Sequence, residues 1–366
     1  MEEISMYAVD TAKSVFQVHG ENTTRSVKVV KRLRRGQFLT FFARQPATVV
    51  VLEACGASHH WGRELSALGH EVKLIPPQHV KPFLKRNKSD ARDAEAIFEA
   101  AHRPGLHFVP IKPLAQQCDR ALHRARDLLV RQRSQLGNAI RSMLSEIGII
   151  APQGAAGSAQ LYARIEAVAD GAVADGAPAD DGVVADGIVA DTGTDEAIPP
   201  RLLAAARPLL AQWRSLHTAI KGLEDQILLA ARTDPQVRRL MAIDNIGPIT
   251  AHAMVAAIGD GKQFRTARDF VAWMGLTPTL NASAERIRLG HISKAGDQGL
   301  RRLFVLGASS GVHHARIRPE KASPWLKGIL ARRPVKVAVV AQAAKTARIA
   351  WAVLTSGKAF RSPAAA

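Results

Sequence analysis

Apolar residues in the first hundred positions come in short runs that end at polar residues, which is typical of an α/β pattern. Runs of about five residues rich in valine and isoleucine predict strands. Longer stretches with apolar residues three or four positions apart predict helices. We predict strands at residues 5–9, 14–18, 26–30, 48–53 and 71–75, and helices at residues 34–43, 59–68 and 89–102.

The order of these elements predicts the fold class of residues 1–104. Three strands lie close together, with turn residues between Gly20 and Asn22, which favours an antiparallel meander. Helices and strands alternate after them, which favours parallel strands with crossover helices. This is the order of an RNase H-like fold, so we predict an α/β domain here.

Apolar residues recur at a seven-residue step in the two helical stretches that follow. In the first, three leucines and a methionine keep this step from Leu122 to Met143. In the second, from Leu209 to Ile227, steps of four and three alternate. This is the a/d seam of packed helices, either two helices of one chain, a coiled-coil dimer, or both. We predict a helical coiled-coil connector and dimerisation element at residues 112–150 and 201–233.

The segment between these two stretches, residues 151–200, has a different composition. It repeats Ala-Asp-Gly and contains nine acids and one base, which is a local charge of −8. Few large apolar residues and many glycines and prolines indicate disorder. We therefore expect a flexible acidic insertion that limits non-specific binding.

Residues 235–366 predict a third, mainly helical region. Two helical stretches flank Asn245-Ile-Gly-Pro248, which resembles a helix–hairpin–helix element, although an ordinary helical turn gives the same pattern. Backbone N–H groups at Gly247 would suit a phosphate at a helix N-terminus. Further helices are expected at residues 264–274 and 332–354, and a polar run occupies residues 279–291.

Net charge points to the class of partner. The 366 residues carry a formal charge of +18, with a pI of about 10.5, and the chain outside the acidic insertion carries +26. Such a chain attracts polyanions, most simply nucleic acid, although a merely adhesive surface would be equally basic. The first heptad helix is rich in arginine and is either a solvated basic face or a phosphate-binding face. From this helix we select Arg120, Arg124, Arg131 and Arg133.

Composition also indicates the compartment. The two cysteines, Cys55 and Cys118, fit neither a disulfide framework nor a metal-ligand spacing, so a reducing cytosol is expected. The N-terminus lacks the features of a signal peptide. We also expect no stretch that approaches the length of a membrane span and no membrane partner.

Four carboxylates give this basic chain its candidate chemistry. Asp10 and Glu53 each end an apolar run, where an acid is costly to bury, and Asp90 and Asp93 are one helical turn apart. Two strand ends and one helix face can bring four acids together, which suits hard cations such as Mg²⁺, or Mn²⁺ in its place. Such ions align the oxygens of a phosphodiester. Helix caps or surface charges are the alternative, and an N-terminal helix position would explain Asp90 alone.

Several separated motifs resemble the DEDD transposases of the insertion-sequence-110 family, and more closely its 1111 subgroup. The resemblance covers nearly the whole chain outside the acidic insertion. The motifs are Val9-Asp-Thr-Ala-Lys13, Leu52-Glu-Ala-Cys-Gly56, Lys88-Ser-Asp-Ala-Arg-Asp-Ala94, Ile246-Gly-Pro248, Gly275-Leu-Thr-Pro278 and Leu289-Gly-His-Ile-Ser-Lys-Ala-Gly296.

The resemblance implies a RuvC-type RNase H-like domain that holds the four acids, a coiled-coil connector, and a C-terminal transposase domain with a nucleophilic serine. That serine corresponds to Ser283, where the family usually has Ser-Gly and this chain has Ser-Ala. Ser293 is the competing serine, and we expect it to cap the following helix. Five nearby basic residues could balance phosphate charge: Arg286, Arg288, Lys294, Arg301 and Arg302.

The resemblance further implies which partners take part. The acids and the serine meet across protomers, in a tetramer built from dimers. A non-coding bridge or seeker RNA pairs with donor and target double-stranded DNA, and the protein works in a prokaryotic cytoplasm at the nucleoid. Two other functions stay open at this point: a metal-dependent nuclease or junction resolvase without a covalent intermediate, and a non-catalytic nucleic-acid-binding protein.

Overall fold

A computed structural model describes residues 3–84, 90–169, 198–283 and 286–361. The chain forms two compact units, each built from separate stretches of sequence. Unit 1 comprises residues 1–120, 254–296 and 341–359. Unit 2 comprises residues 121–253, 297–340 and 360–366.

A five-stranded mixed sheet forms the centre of unit 1, with strand order β3-β2-β1-β4-β5. The first three strands form an antiparallel meander, and β4 and β5 continue the sheet in parallel with β1. All five predicted strands are therefore confirmed, with ends that move by up to four residues. Their bounds are β1 Met6–Thr11, β2 Val15–Glu21, β3 Lys28–Arg34, β4 Val49–Glu53 and β5 Glu71–Ile75.

Helices cover both faces of this sheet, because valine-rich central strands must be buried on both sides. Helices α1 (Arg35–Phe42) and α2 (Ser58–Ala67) bury one face around an aromatic cluster in which Trp61 meets Phe16 edge to face. Helix α4 (Asp90–Ala101) covers the opposite face. A short helix α3 (Pro77–Val80) and a 3-10 turn at Lys81–Phe83, which the sequence did not predict, precede α4.

A β-hairpin replaces the polar run that we expected at residues 279–291. It comprises β6 (Pro278–Ser283) and β7 (Arg286–Ile292), and it is a separate two-stranded sheet of unit 1. The chain leaves this hairpin through a tight turn at Gly296, which has a φ of +65°. A Cβ at this position would lie 1.8 Å from the Trp273 carbonyl oxygen, so only glycine fits.

The C-terminal helix α13 (Val335–Ser356) has the length and apolar composition of a membrane span. We had expected no stretch of the chain to approach them. Among the described residues it is the one helix that is long and apolar enough to cross a membrane. The core helix of a globular unit meets the same criteria of length and composition. Ala347, Ala350 and Leu354 are buried. The Trp351 indole Nε1 donates a hydrogen bond to the Gly261 carbonyl at 3.0 Å, so the second half of α13 packs in the core of unit 1.

Two long antiparallel helices give unit 2 its frame. Arg126 on one helix forms an ion pair with Glu224 on the other, and the Arg133 guanidinium lies 3.1 Å from His217 Nδ1. From the first link to the second, the residue number rises on one helix and falls on the other. The two helices therefore lie side by side and antiparallel. The remaining helices of the fold have these bounds: α5 Leu114–Ser145, α6 Ala155–Ala169, α7 Pro200–Thr233, α8 Pro235–Met241, α9 Pro248–Ile258, α10 Ala267–Trp273, α11 Gln298–Ile317 and α12 Pro324–Leu330.

The expectation of disorder is wrong for the first part of the acidic insertion. Residues 155–169 form helix α6, and its Leu161, Tyr162 and Ile165 are buried against α5 and α7. These three large side chains supply the apolar contact that ordering a helix requires. The Ala-Asp-Gly repeats that suggested disorder are at residues 169–171, 174–176 and 185–187, and apart from Ala169 they lie outside the described residues.

Candidate acidic active site

Asp10 and Glu53 lie side by side at the ends of two adjacent parallel strands. Strands β1 and β4 pair with Val9 opposite Leu52, so the next residues of the two strands are Asp10 and Glu53. Side chains alternate between the two faces of a strand. Ala8 and Val51, each two positions earlier in its strand, pack in the core under α4 and so identify the face. Asp10 and Glu53 therefore share the α4 face of the sheet.

Helix α4 covers the face of the sheet that carries Asp10 and Glu53. Near the C-terminal end of α4, Phe98 packs on His19, which is the register partner of Ala8. Asp93 lies in the first turn of the same helix.

Asp10, Glu53 and Asp93 thus lie on three different elements that contribute to one face of the sheet. Asp93 is half-buried in the first turn of α4, and Asp90 is the first residue of that helix. The side chain of Asp90 and residues 85–89 lie outside the described residues. In the described ranges, no three His, Cys, Asp or Glu side chains are close enough together to hold a metal ion. The donors are carboxylate oxygens, which are the ligands that hard divalent cations prefer.

The edge of the sheet beside the acids is polar and basic. The Thr11 hydroxyl and the Cys55 thiol lie 3.1 Å apart across the ends of β1 and β4. The Arg35 guanidinium stacks over the Trp61 ring at 4.8 Å and donates to the Lys13 carbonyl at 3.4 Å. These contacts fix the loops that follow the strands bearing Asp10 and Glu53.

Ser283 lies at the tip of the β6–β7 hairpin, where it is the last residue of β6 and pairs with Arg286. The side chain of Ser283 and residues 284 and 285 lie outside the part of the chain that the structure describes. Strands β6 and β7 form a sheet separate from the one that carries Asp10 and Glu53. Further along the hairpin Arg288 is exposed, and beyond it the exposed Lys294 has a φ of +55°.

Ser293 does not cap a helix, so that prediction is wrong. Its hydroxyl accepts a long hydrogen bond of 3.5 Å from the Ala295 N–H. The next helix, α11, starts only at Gln298, and Asp297 is its N-cap, with a carboxylate that accepts from the Leu300 N–H at 2.9 Å. The tight turn at Gly296 separates Ser293 from the helix start.

The other predicted nucleic-acid residues differ in their environments. Arg124 and Arg131 are exposed on α5, and Gly247 is exposed before α9, where Asn245 has a φ of +68°. Arg133 lies over the Trp213 ring at 5.9 Å. Arg302 is half-buried and forms an ion pair with Asp127 of the same unit. Two predicted positions, Arg120 and Arg301, are half-buried.

Two residues near the acids were missed in the sequence. Strand register places Gln17 opposite Asp10, and it places Arg32 opposite Gln17. All three therefore share the face of the sheet that carries Glu53. The register of a meander depends on its turns, and neither residue belongs to a recognisable motif. Only the alternation within β3 could have suggested that Arg32 faces the acids.

A mixed α/β domain with acids at the ends of β1 and β4 and at the start of α4 is consistent with a DEDD nuclease-like fold. Comparison with known proteins agrees. Residues 8–149 match a family described as a transposase, DEDD_Tnp_IS110. Residues 237–323 match the family described as Transposase IS116/IS110/IS902.

Full-length relatives identify the family. The chain is 41% identical over 359 residues to a probable family 20 transposase of Pseudomonas aeruginosa, covering 98% of this chain and 99% of the relative. It is 34% identical over 363 residues to the transposase for insertion sequence element IS1111A of Coxiella burnetii, covering 99% and 92%. A Yersinia enterocolitica relative, the transposase for insertion sequence element IS1328, is also 34% identical, over 360 residues. The chain belongs to the IS110/IS1111 family of insertion-sequence transposases.

Proposed function

We propose that this transposase cleaves and rejoins DNA with a metal-binding cluster of Asp10, Glu53, Asp90 and Asp93 and with Ser283 as nucleophile. The observation that carries the proposal is the placement of Asp10 and Glu53 on one face, in neighbouring positions of adjacent strands. Carboxylates in neighbouring positions can bind one divalent cation together.

The four acids would hold Mg²⁺, and Mn²⁺ in its place, because their donors are all carboxylate oxygens. A bound divalent cation polarises the phosphodiester and neutralises charge on its oxygens. The chain's own contribution is to fix the carboxylates. Asp10 and Glu53 are held by the sheet, and Asp93 is held by a helix whose Ile97 and Phe98 are fully packed against that sheet.

The serine would make this reaction a strand exchange. The Ser283 hydroxyl oxygen attacks the phosphorus and loses its proton to a nearby carboxylate. The bond from phosphorus to the 3′ oxygen breaks, and that oxygen takes up a proton to become a free 3′-OH. The number of phosphodiester bonds is conserved, because the phosphoserine bond replaces the one that is lost. A second strand's 3′-OH can then reverse the step without ATP.

Basic residues around the serine would balance the charge that develops on the phosphate. Arg286 pairs with Ser283 in the hairpin register, and Arg288 follows two positions later in β7. Lys294 lies just beyond the hairpin. Further backbone phosphates would be bound at more distant positions: Arg120, Arg124, Arg131, Arg133, Gly247, Arg301 and Arg302. Gly247 would act through a helix–hairpin–helix turn between α8 and α9.

The partners would be donor and target DNA, a bridge or seeker RNA that reads sequence by base pairing, and further copies of the chain. The heptad leucines of α5 support an oligomer, because Leu122, Leu129 and Leu136 remain half-buried beside α7. Leu128 is 48% exposed on the same helix. A second helix pair could cover these side chains in a coiled-coil dimer, and a tetramer would bring the acids of one copy to the serine of another.

Two substitutions separate the competing functions. The assay uses the full chain, DNA with the ends of the element that carries the gene, and RNA transcribed from that element. Asp10→Asn should abolish cleavage, with Glu71→Gln, an exposed acid in the same sheet, as the control. Ser283→Ala should also abolish cleavage. If Ser283→Ala still cleaves, the chain is a metal-dependent nuclease or resolvase. If wild type binds DNA but never cuts it, the chain is a non-catalytic binding protein.

A further inference from the structure

A row of four side chains crosses the sheet in line with the acids. Glu53, Asp10, Gln17 and Arg32 occupy successive positions on β4, β1, β2 and β3, on the α4 face. We propose that Gln17 and Arg32 bind the DNA backbone beside the acids and thereby fix which phosphodiester reaches them. This inference rests on the proposed function, because it takes Asp10 and Glu53 as the cleavage site.

The spacing of the row suits a nucleic-acid strand. Adjacent strands lie about 4.8 Å apart, so Arg32 is about 10 Å from Asp10 across the sheet. One strand of duplex DNA has one phosphate per 3.4 Å of helix axis, so this distance corresponds to roughly three nucleotides. A strand with one phosphate at the acids therefore places another near Arg32, and Gln17 lies between them.

The sheet face beyond the acids is open to a ligand. Helix α4 packs on β1 and β2, with Phe98 against His19. The register partner of His19 on β3, Val30, is 53% exposed, so α4 does not cover this strand. Arg32 lies two positions beyond Val30 on the same face, and it is exposed.

Arg32 is also available for a phosphate. In the described part of the chain, no hydrogen bond or ion pair engages its guanidinium. Arg34, two residues further along the same face, is exposed as well and adds a second positive charge. A guanidinium can bind a phosphate through two parallel N–H donors.

The charge on β3 favours a polyanion over an added protein strand. This strand forms one edge of the sheet, and four of its seven residues are basic, namely Lys28, Lys31, Arg32 and Arg34. Basic side chains on an edge strand discourage pairing with another chain. Of these four, Arg32 and Arg34 lie at the end of the strand nearest the acids and on their face, where they would attract a phosphate backbone, so the occupant that we infer is DNA.

The test measures binding to a fluorescent double-stranded DNA oligonucleotide of random sequence, over a series of salt concentrations, with the full chain. Arg32→Ala should weaken binding about tenfold, as expected for the loss of a charge-assisted contact. It should reduce the slope of log affinity against log salt by about one. Gln17→Ala should weaken binding by less, with an unchanged slope, because glutamine carries no charge.

The two lysines of β3 provide matched controls for Arg32. Lys31 is on the opposite face, where its ammonium lies 5.3 Å from the centre of the Phe41 ring. Lys28 is on the same face but at the far end of the strand, opposite Glu21. Lys31→Ala and Lys28→Ala should leave the affinity and the slope within twofold and half a unit of wild type. If either control loses as much affinity as Arg32→Ala, the effect of Arg32 is explained by its charge alone and the inference is overturned.

A cleavage assay with Asp10→Asn, run alongside, separates this inference from the proposed function. Normal binding by Arg32→Ala, with Asp10→Asn inactive, would overturn the inference and leave the acid site intact. Weakened binding by Arg32→Ala, with Asp10→Asn still active, would support Arg32 as a DNA contact and overturn the proposed function. If Arg32→Ala weakens binding only to a double-stranded RNA of the same sequence, the assignment of DNA to this face is wrong.

Discussion

Asp10 and Glu53 are neighbours across two parallel strands, on the face of the sheet that α4 covers. Neither residue reaches this position through local sequence, because each simply ends its own apolar strand. The parallel pairing of β1 with β4 creates the relationship, and α4, which carries Asp93, covers the same face.

Removing one of the two neighbouring acids should abolish the stabilisation of the protein by a divalent cation. Added Mg²⁺ should raise the unfolding temperature of wild type, because a ligand that binds only the folded state stabilises it. The same addition should have little effect on Asp10→Asn. Thermal unfolding followed by circular dichroism measures both, and an equal response of the two proteins to Mg²⁺ would argue against a metal site here.

The turn after the hairpin should tolerate only glycine. Gly296→Ala requires a left-handed backbone and brings a Cβ to 1.8 Å from the Trp273 carbonyl oxygen. We expect a loss of about 2 kcal/mol or more in the free energy of unfolding, measured by urea denaturation. The control is Gly36→Ala in α1, where a Cβ meets nothing within 4 Å. Alanine there should be neutral or stabilising by about 0.5 kcal/mol.

Alkaline pH should weaken unit 1 through Tyr7. Burial raises the pKa of Tyr7 above its ordinary value of 10.0, and its hydroxyl donates to Gln45 Oε1 at 2.9 Å. The protonated form is therefore favoured in the folded state, so this stability is present below pH 10.0 and is lost as pH rises above it. Tyr7→Phe should be less stable at pH 8 by about 1 kcal/mol, but the difference should shrink at alkaline pH. A constant difference up to pH 11 would contradict this.

Arg302 should contribute to the stability of unit 2 as well as to any nucleic-acid contact. Its ion pair with Asp127 is partly exposed, so the coupling between the two should be small, about 0.5 kcal/mol. A double-mutant cycle with Arg302→Ala and Asp127→Ala, read by urea denaturation, gives this value. A coupling of zero, with DNA binding lost in Arg302→Ala, would assign Arg302 to nucleic acid alone.

The strands of the α/β domain were predictable because each is a short apolar run that ends at polar or turn-forming residues. The acids could be selected for the same reason, since a carboxylate at the end of a valine-rich run is conspicuous. The row of Gln17 and Arg32 was not predictable. Its formation depends on the register of β2 and β3, which the turns between the strands set.

Other misses also have physical causes. The β6–β7 hairpin was read as a polar run because its strands alternate polar residues with few large apolar ones, and Leu280 and Leu289 are both exposed. Helix α6 was hidden by the acidic repeats that follow it in sequence. The sequence predicts Ser293 as the cap of α11 in place of Asp297, because the tight turn at Gly296 that separates them depends on packing against Trp273.

The most direct test of the central claim is to identify the residue that becomes covalently linked to DNA. The full chain reacts with DNA bearing the element's ends, in the presence of Mg²⁺ and the element's RNA, and is quenched with detergent. Trypsin and nuclease digestion, followed by mass spectrometry, then locate the nucleotide adduct. The account predicts a phosphate-linked nucleotide on Ser283, absent from Ser283→Ala and from Asp10→Asn but present in Ser293→Ala. Cleaved DNA without any protein adduct, or an adduct on another residue, would contradict it.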